Sequence, residues 1–308
     1  MARLLGSARD RSSLPDLIEG GEMVLAPGCY DALSARLVEE AGFPAAYMTG
    51  FGTAASRLSR PDVGLLTLTE MADNARRIAQ AVQIPVIADA DTGYGNPINV
   101  IRTVQEYEAA GVAAVHIEDQ VMPKKCGHME GKELIAAGEM VAKVEAAVAA
   151  RRSPSFSIIA RTDARAPEGL DAAIERARAY RQAGADVLFI EAPQSVAEIE
   201  TIASTFNDVP LLFNYAEGGK TPPVSHEQLR RLGFSIVIFP ISTLLTATAA
   251  IRAALAQIKA DGTPIELLEG MLPFNDFLDL IGMPEIRDLE QRFAAKTNTT
   301  TRSEELSR

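Results

Sequence analysis

The stretch "PVIADADTGYGNPINVIRTVQEYEAAGVAAVHIEDQ", residues Pro85–Gln120, decides the fold. It opens on a short apolar run that ends in acids at Asp89 and Asp91 and turns through glycines. An amphipathic helical pattern then closes on Gly111, and a second apolar run follows, Ala113–Asp119. Two short apolar runs joined by one helix are strands of a parallel sheet, because parallel neighbours need a crossover and lie buried on both faces.

Working outward, the same unit recurs. Strand-like runs occupy Met23–Gly28, Ala45–Gly50, Phe156–Asp163, Asp186–Ala192, Leu211–Tyr215 and Ile236–Pro240, which with the first two makes eight. Between them lie helical patterns such as "DALSARLVEEAG" (residues 31–42) and "LDAAIERARAYRQAG" (residues 170–184), each closing on a glycine free to take the left-handed conformation. Eight strand–helix units suit a closed (β/α)8 TIM barrel of the α/β class better than an open doubly wound sheet, and no dinucleotide fingerprint follows the first strand. After the eighth helix, "LLTATAAIRAALAQIKADG" (residues 244–262), a further helical segment runs over residues 263–293. Its Leu267, Leu268, Met271, Leu272, Phe274 and Phe277 are too much apolar surface to leave wet, so it is expected to pack on the barrel or on a neighbouring subunit. The chain reads as one domain over residues 1–295, with a polar, mobile tail over 296–308.

Of the 308 residues, 47% are apolar and 23% charged, an ordinary composition for a globular protein, and no apolar run approaches the roughly 20 residues that cross a bilayer. The N-terminus lacks a secretory pattern, which predicts a cytoplasmic protein. A net charge of −11 excludes a basic nucleic-acid footprint. Two cysteines, Cys29 and Cys126, make no disulfide framework and fit a reducing compartment.

In such a barrel the site lies at the C-terminal ends of the strands, so the polar residues that end the apolar runs map it. Asp89 and Asp91 stand two apart, and strand alternation predicts both carboxylates on one side. With Glu118 they form an all-oxygen donor set for a hard cation, Mg2+ first and Mn2+ as a substitute. Thr49, Gly50 and Phe51 end the second run in a turn whose N–H groups could receive an anion. Arg161 could grip a carboxylate bidentately, and Glu191 and Asn214 end the sixth and seventh runs. His116 reads equally as a site residue or a core histidine; His226 reads as surface. The loop after the fourth strand holds "KKCGH", Lys124–His128. Lys124, Lys125 and His128 are expected to lower the Cys126 thiol pKa, and Gly127 and Gly131 to let the loop fold over a ligand. Cys29 reads as a packing residue.

With "PGCYDALSARL", "MTGFGTAAS", "ADADTGYGN", "HIEDQVMPKKCGH", "ARTDAR", "IEAP" and "EGGKTP" in order along the chain, the sequence resembles the isocitrate lyase/phosphoenolpyruvate mutase superfamily. The resemblance implies a barrel whose eighth helix is displaced and exchanged between subunits of a homotetramer. It implies Mg2+ on Asp89 and Asp91, with Asp62 and Glu118 in its outer shell, and a 2-oxo acid carboxylate on Thr49, Gly50 and Phe51. Arg161 should contact the oxo-acid part, Lys124, Gly127 and His128 should belong to a gating loop, and Glu191, Asn214 and Pro240 should complete the pocket. The cysteine points to the carbon–carbon lyase branch, cleaving a 2-hydroxy-2-alkyl dicarboxylate such as 2,3-dimethylmalate to pyruvate and a saturated acid such as propionate. Glu118, Glu191 or a water is the expected base. A 2-methylisocitrate lyase, an oxaloacetate hydrolase, for which the resemblance implies a serine in place of Pro240, and a phosphonopyruvate-type mutase are the alternatives, with a non-enzymatic scaffold behind them.

Overall fold

Eight parallel strands close on themselves in sequence order in the computed structural model, which describes residues 13–294. They are β1 Val24–Cys29, β2 Ala46–Met48, β3 Val86–Asp89, β4 Ala114–Glu118, β5 Ser157–Thr162, β6 Val187–Ile190, β7 Leu211–Asn214 and β8 Ile236–Phe239. The seam joins β1 to β8, with Val24 opposite Ile236 and Pro27 opposite Phe239. The helices are α1 Leu14–Glu19, α2 Ala32–Glu40, α3 Gly50–Leu58, α4 Leu68–Ala81, α5 Pro97–Ala110, α6 Ala137–Ala150, α7 Arg165–Glu168, α8 Leu170–Gln182, α9 Val196–Thr205, α10 His226–Leu232, α11 Ser242–Asp261, α12 Phe274–Leu280 and α13 Met283–Phe293. Capping chemistry sets many of the starts. Asp31 accepts from Ser34 N–H at α2, and Asn96, followed by Pro97 in the first turn, accepts from Ile98 and Asn99 N–H at α5. Gly111 takes the left-handed conformation after α5 (φ 90°).

Two apolar cores follow from strand alternation. Residues of one parity, such as Ala88, Val115, Ile158 and Leu188, face outward and pack with the helices. Those of the other parity, such as Val24, Ile87, Ala114, Ile159, Val187 and Ile236, fill the barrel interior. The floor of that interior is sealed by α1, which the sequence reading had not anticipated: Leu14 is fully buried among the inward residues, with Leu17 and Ile18 packed beside it. Above lies an aromatic layer, Tyr47, His116 and Phe189, with His116 stacked on Tyr47 at 5.7 Å and edge-on to Phe189 at 5.8 Å.

Two expected strand ends are shorter than the apolar runs. β2 stops at Met48 because Thr49 is a helix cap, its hydroxyl accepting from Gly52 N–H at 3.1 Å, so Gly50 begins α3. β3 stops at Asp89; Asp91 lies beyond it at φ 47° with its N–H donated to Asp89 Oδ1 at 2.9 Å. The two carboxylates are therefore neighbours through a turn and not through strand alternation.

The eighth helix, α11, touches the barrel at its start, where Thr243 Oγ1 donates to Gly28 O at 2.6 Å, yet none of its 20 residues is buried. The segment after it breaks into a 3-10 turn at Ile265–Gly270 and the short helices α12 and α13, punctuated by Pro264, Pro273 and Pro284. Arg36 donates to Leu280 O and ties α12 to α2, but Leu268, Phe274 and Phe293 remain exposed. Packing on the barrel thus accounts for little of this surface. No described helix is long and apolar enough to cross a membrane. The tail over 296–308 lies outside the described residues.

Candidate active site

The inward parity that fills the core continues upward, and it delivers the chemistry. Above Ile87 comes Asp89; above Ala114 and His116 comes Glu118; above Ile159 comes Arg161; above Val187 and Phe189 comes Glu191; above Leu212 comes Asn214. These residues meet at the C-terminal mouth, around a cavity of about 210 Å³. Thr49, Phe51, Asp62, Asp89, Lys124, Cys126, Gly127, His128, Arg161, Glu191, Asn214 and Pro240 all reach its wall. Gly50, Asp91 and Glu118 do not. Gly50 N–H is spent on Asp89 Oδ2 at 3.2 Å, and a Cβ there would lie 2.4 Å from that oxygen. Glu118 stands behind Arg161, with Oε2 3.2 Å from Nη1 and Oε1 accepting from Gln120 at 3.0 Å. Arg161 is also held by Asp163 through Nε (3.0 Å) and Nη2 (3.1 Å), and lies 5.1 Å over the Phe189 ring.

The wall is short of positive charge. Asp62, Asp89, Glu191 and Glu217 face it against Lys124 and Arg161. Lys124 Nζ sits 2.6 Å from Asp62 Oδ1 and 2.7 Å from Asp91 Oδ1, although the latter oxygen has no aligned hydrogen-bond partner. Even beside that ammonium, burial together with Asp89 and Asp62 pushes Asp91 up to about 6. The described residues bring no three His, Cys, Asp or Glu side chains into one metal-holding cluster. Mg2+ usually binds through one or two carboxylates and keeps several waters. Asp89 at the wall, with Asp62 and Asp91 beside it, fits that manner of binding.

His116 is fully buried, with Nε2 2.7 Å from the Tyr47 hydroxyl and 3.5 Å from Asp89 Oδ1. Burial lowers its pKa to about 4, so it is a neutral core residue under the site. The two candidate bases differ. Burial would raise Glu191, but Arg161 and His128 outweigh it and hold it well below the usual range. Burial pushes Glu118 well above that range, which Arg161, shared with Asp163, does not offset.

The loop carrying Cys126 lies over the cavity as a lid. Gln120 fixes its entry, accepting from Lys125 N–H at 2.9 Å and donating to Lys125 O at 2.8 Å. His128 anchors the tip: Nε2 is 3.1 Å from Glu191 Oε1, while Nδ1 accepts from Lys220 N–H at 3.1 Å, which leaves the proton on Nε2. Glu191 in turn accepts from Asn214 at 3.1 and 3.2 Å. The expected cationic activation of the thiol is overturned. Lys124 is committed to Asp62 and Asp91, Lys125 Nζ donates to Gly131 O, and burial raises the Cys126 pKa, with Glu191 and Asp62 adding to the shift. Cys126 is a protonated thiol. Cys29 is buried and reduced, as expected of a packing residue.

Four wall residues escaped the sequence reading: Tyr47, Glu217, Gly219 and Ile241. Tyr47 looks like core by pattern, and the loop after β7 carries little chemistry of its own. The motif "EGGKTP" was its only signal.

A family model described as phosphoenolpyruvate phosphomutase matches residues 14–259. The chain is 47% identical over 283 residues to the 2,3-dimethylmalate lyase of Eubacterium barkeri, covering 92% of this chain and 98% of that protein. It is 47% identical over 281 residues to a 2-methylisocitrate lyase of Aeropyrum pernix, covering 91% and 89%. A solved structure of oxaloacetate acetylhydrolase with the inhibitor 3,3-difluorooxalacetate matches with a TM-score of 0.87 at 40% identity, over 92% of this chain and 96% of that one.

Proposed function

Because the chain belongs to the phosphoenolpyruvate mutase/isocitrate lyase superfamily, we propose that it is a carbon–carbon lyase. Its substrate is a 2-hydroxy-2-alkyl dicarboxylate such as 2,3-dimethylmalate, and its products are pyruvate and a saturated acid such as propionate. One observation carries the reading: a protonated thiol on a lid lines the same cavity as Asp89, Arg161 and Glu191. Bound at Asp89, with Asp91, Asp62 and Glu118 around it, Mg2+ would polarise the emerging keto oxygen and offset the acid-rich wall against an anionic substrate.

The chain's own residues supply the rest. Thr49 and Phe51, with Arg161, hold the 2-oxo-acid end. The hydroxyl proton leaves toward Glu118, whose raised pKa makes it the stronger base; Glu191, kept ionised, orients the hydroxyl as an acceptor. The C2–C3 bond then breaks, its electron pair passing into the departing acid as an aci-carboxylate while C2 becomes the ketone of pyruvate. Cys126 delivers its S–H proton to C3, and the thiolate recovers the proton first taken from the hydroxyl. A thiol with a raised pKa suits this role, since it keeps its proton until a much stronger base forms. His128 and Lys124 hold the lid closed so that water does not quench the intermediate.

A tricarboxylate such as 2-methylisocitrate would need one more cation. The lysine and arginine of the wall are already paired, and Glu217 would repel a third carboxylate. Pro240 at the wall supports cleavage over oxaloacetate hydrolysis, and the thiol supports it over phosphonate chemistry, which needs no such group. Two free cysteines fit a cytoplasmic location, and the uncovered apolar faces of α11 to α13 support a homotetramer that exchanges these helices.

The test is a panel of 2-alkylmalates, 2-methylisocitrate, oxaloacetate and phosphonopyruvate with Mg2+, coupled to pyruvate detection where that product forms. The expected result is fastest turnover of 2,3-dimethylmalate, abolished by EDTA and reduced at least about 100-fold in Cys126→Ser with binding kept. Near-normal turnover by Cys126→Ser, or indifference to EDTA, rejects the mechanism.

A further inference from the structure

The lid has a neck as well as a tip. It leaves the barrel at Gln120 and returns at Leu134, where these two residues form an antiparallel bridge. Val121 N–H donates to Glu133 O at 2.8 Å and Ile135 N–H to Asp119 O at 3.0 Å. Lys132 sits just inside that neck, and its side chain, 1% exposed, runs under the lid and not into solvent. Lysine is almost never buried unless paired. Here the ammonium lies 2.9 Å from Asp163 Oδ1 and donates to the carbonyl of Gly127, the residue that follows Cys126. The same Asp163 carboxylate accepts from Nε and Nη2 of Arg161 and is itself held by Asp163 N–H donation to Asp119 Oδ1 at 2.9 Å. One carboxylate therefore serves two cations, one on the substrate side and one under the lid.

We propose that Lys132 is a positioning residue: it clamps the Cys126–Gly127 peptide over the cavity and ties that closure to the orientation of Arg161 through Asp163. Its effect on turnover rests on the reading of Cys126 as the proton donor; its effect on the lid does not. Removal of Lys132 leaves the bidentate Arg161–Asp163 pair in place, so the change is confined to the lid.

The experiment alkylates the full-length protein with iodoacetamide in the presence of Mg2+ and pyruvate, with Cys126 followed by mass spectrometry. Cys29, at 0% exposure, is the internal control. Loss of a hydrogen bond from a charged donor predicts Cys126 labelling about tenfold faster in Lys132→Met. The melting temperature and Cys29 should be unchanged, and Lys132→Arg should restore part of the protection. With the lyase substrate, Lys132→Met should lose about tenfold to 100-fold in kcat while KM moves within about threefold. Labelling of Cys126 at the wild-type rate in a folded Lys132→Met protein overturns the clamp. If that variant does not fold, hydrogen exchange on the wild type decides: slow exchange of the Cys126–Met129 amides under Mg2+ and pyruvate supports it, and exchange as fast as a free loop overturns it. A protein inert toward every dicarboxylate but with Lys132-dependent labelling would reject the reaction and keep the clamp.

Discussion

His116 carries a proton balance that the whole barrel feels. Burial holds its pKa near 4, against an ordinary value of 6.5, with Asp89 only partly opposing the shift. The folded protein therefore binds fewer protons than the unfolded chain between these values. The stabilisation is complete above about pH 6.5 and is lost as pH falls through about 4. The difference corresponds to about 3 kcal/mol. Urea unfolding of the wild type and of His116→Gln across this interval should show the wild type losing about that much more stability. Parallel slopes would mean that His116 titrates normally. Cys126 teaches the complementary lesson. Its neighbours in sequence are two lysines and a histidine, and the expected effect was a lowered thiol pKa. Residue types were legible; their commitments were not. Asp62, Asp91 and Gly131 O claim the lysines, and these partners come from other elements or from further along the lid.

At the scale of elements, the lid closes only because particular positions have no side chain. A Cβ on Gly127 would lie 2.4 Å from Glu191 Oε1 and 2.5 Å from Arg161 Nη2. Gly127→Ala should therefore hold the lid open: turnover falls about 100-fold, the melting temperature stays within about 2 °C because the lid adds little to the core, and trypsin cleaves faster at Lys124 and Lys125. Unchanged kcat would show that closure tolerates the methyl group. All eight strands were legible because each apolar run is buried on both faces and ends in polar residues of inward parity. The ends themselves were less so. A threonine cap at Thr49 and a left-handed turn at Asp91 are decided by local hydrogen bonds that compete with the strand pattern. Least legible was the contact between the lid and the β7 loop. His128 meets Lys220 across the barrel mouth, 92 residues along the chain, a proximity created only by closure of the sheet. Gly219, whose Cβ would fall 2.5 Å from His128 Nδ1, belongs to the same unseen contact.

At the scale of the whole molecule, the uncovered surface asks for a partner. Leu255, Ile265, Leu268, Phe274 and Phe293 are each at least 60% exposed, and burial of a side chain of this size is worth about 1.5–3 kcal/mol. With such faces covered by copies of itself, the 33.0 kDa chain should sediment as a homo-oligomer, a tetramer on the proposed reading. Leu255→Asp combined with Phe274→Asp should shift it to smaller species in analytical ultracentrifugation, and a wild type that sediments as a monomer removes the proposal. At the opposite end of the barrel, Leu14 makes the interior a dead end. Whatever enters by the mouth must back out the same way, so a cleavage that yields two acids forms a queue. The fragment next to the lid departs first, and the one seated on the deeper groups waits behind it, an order that product-inhibition patterns would read directly.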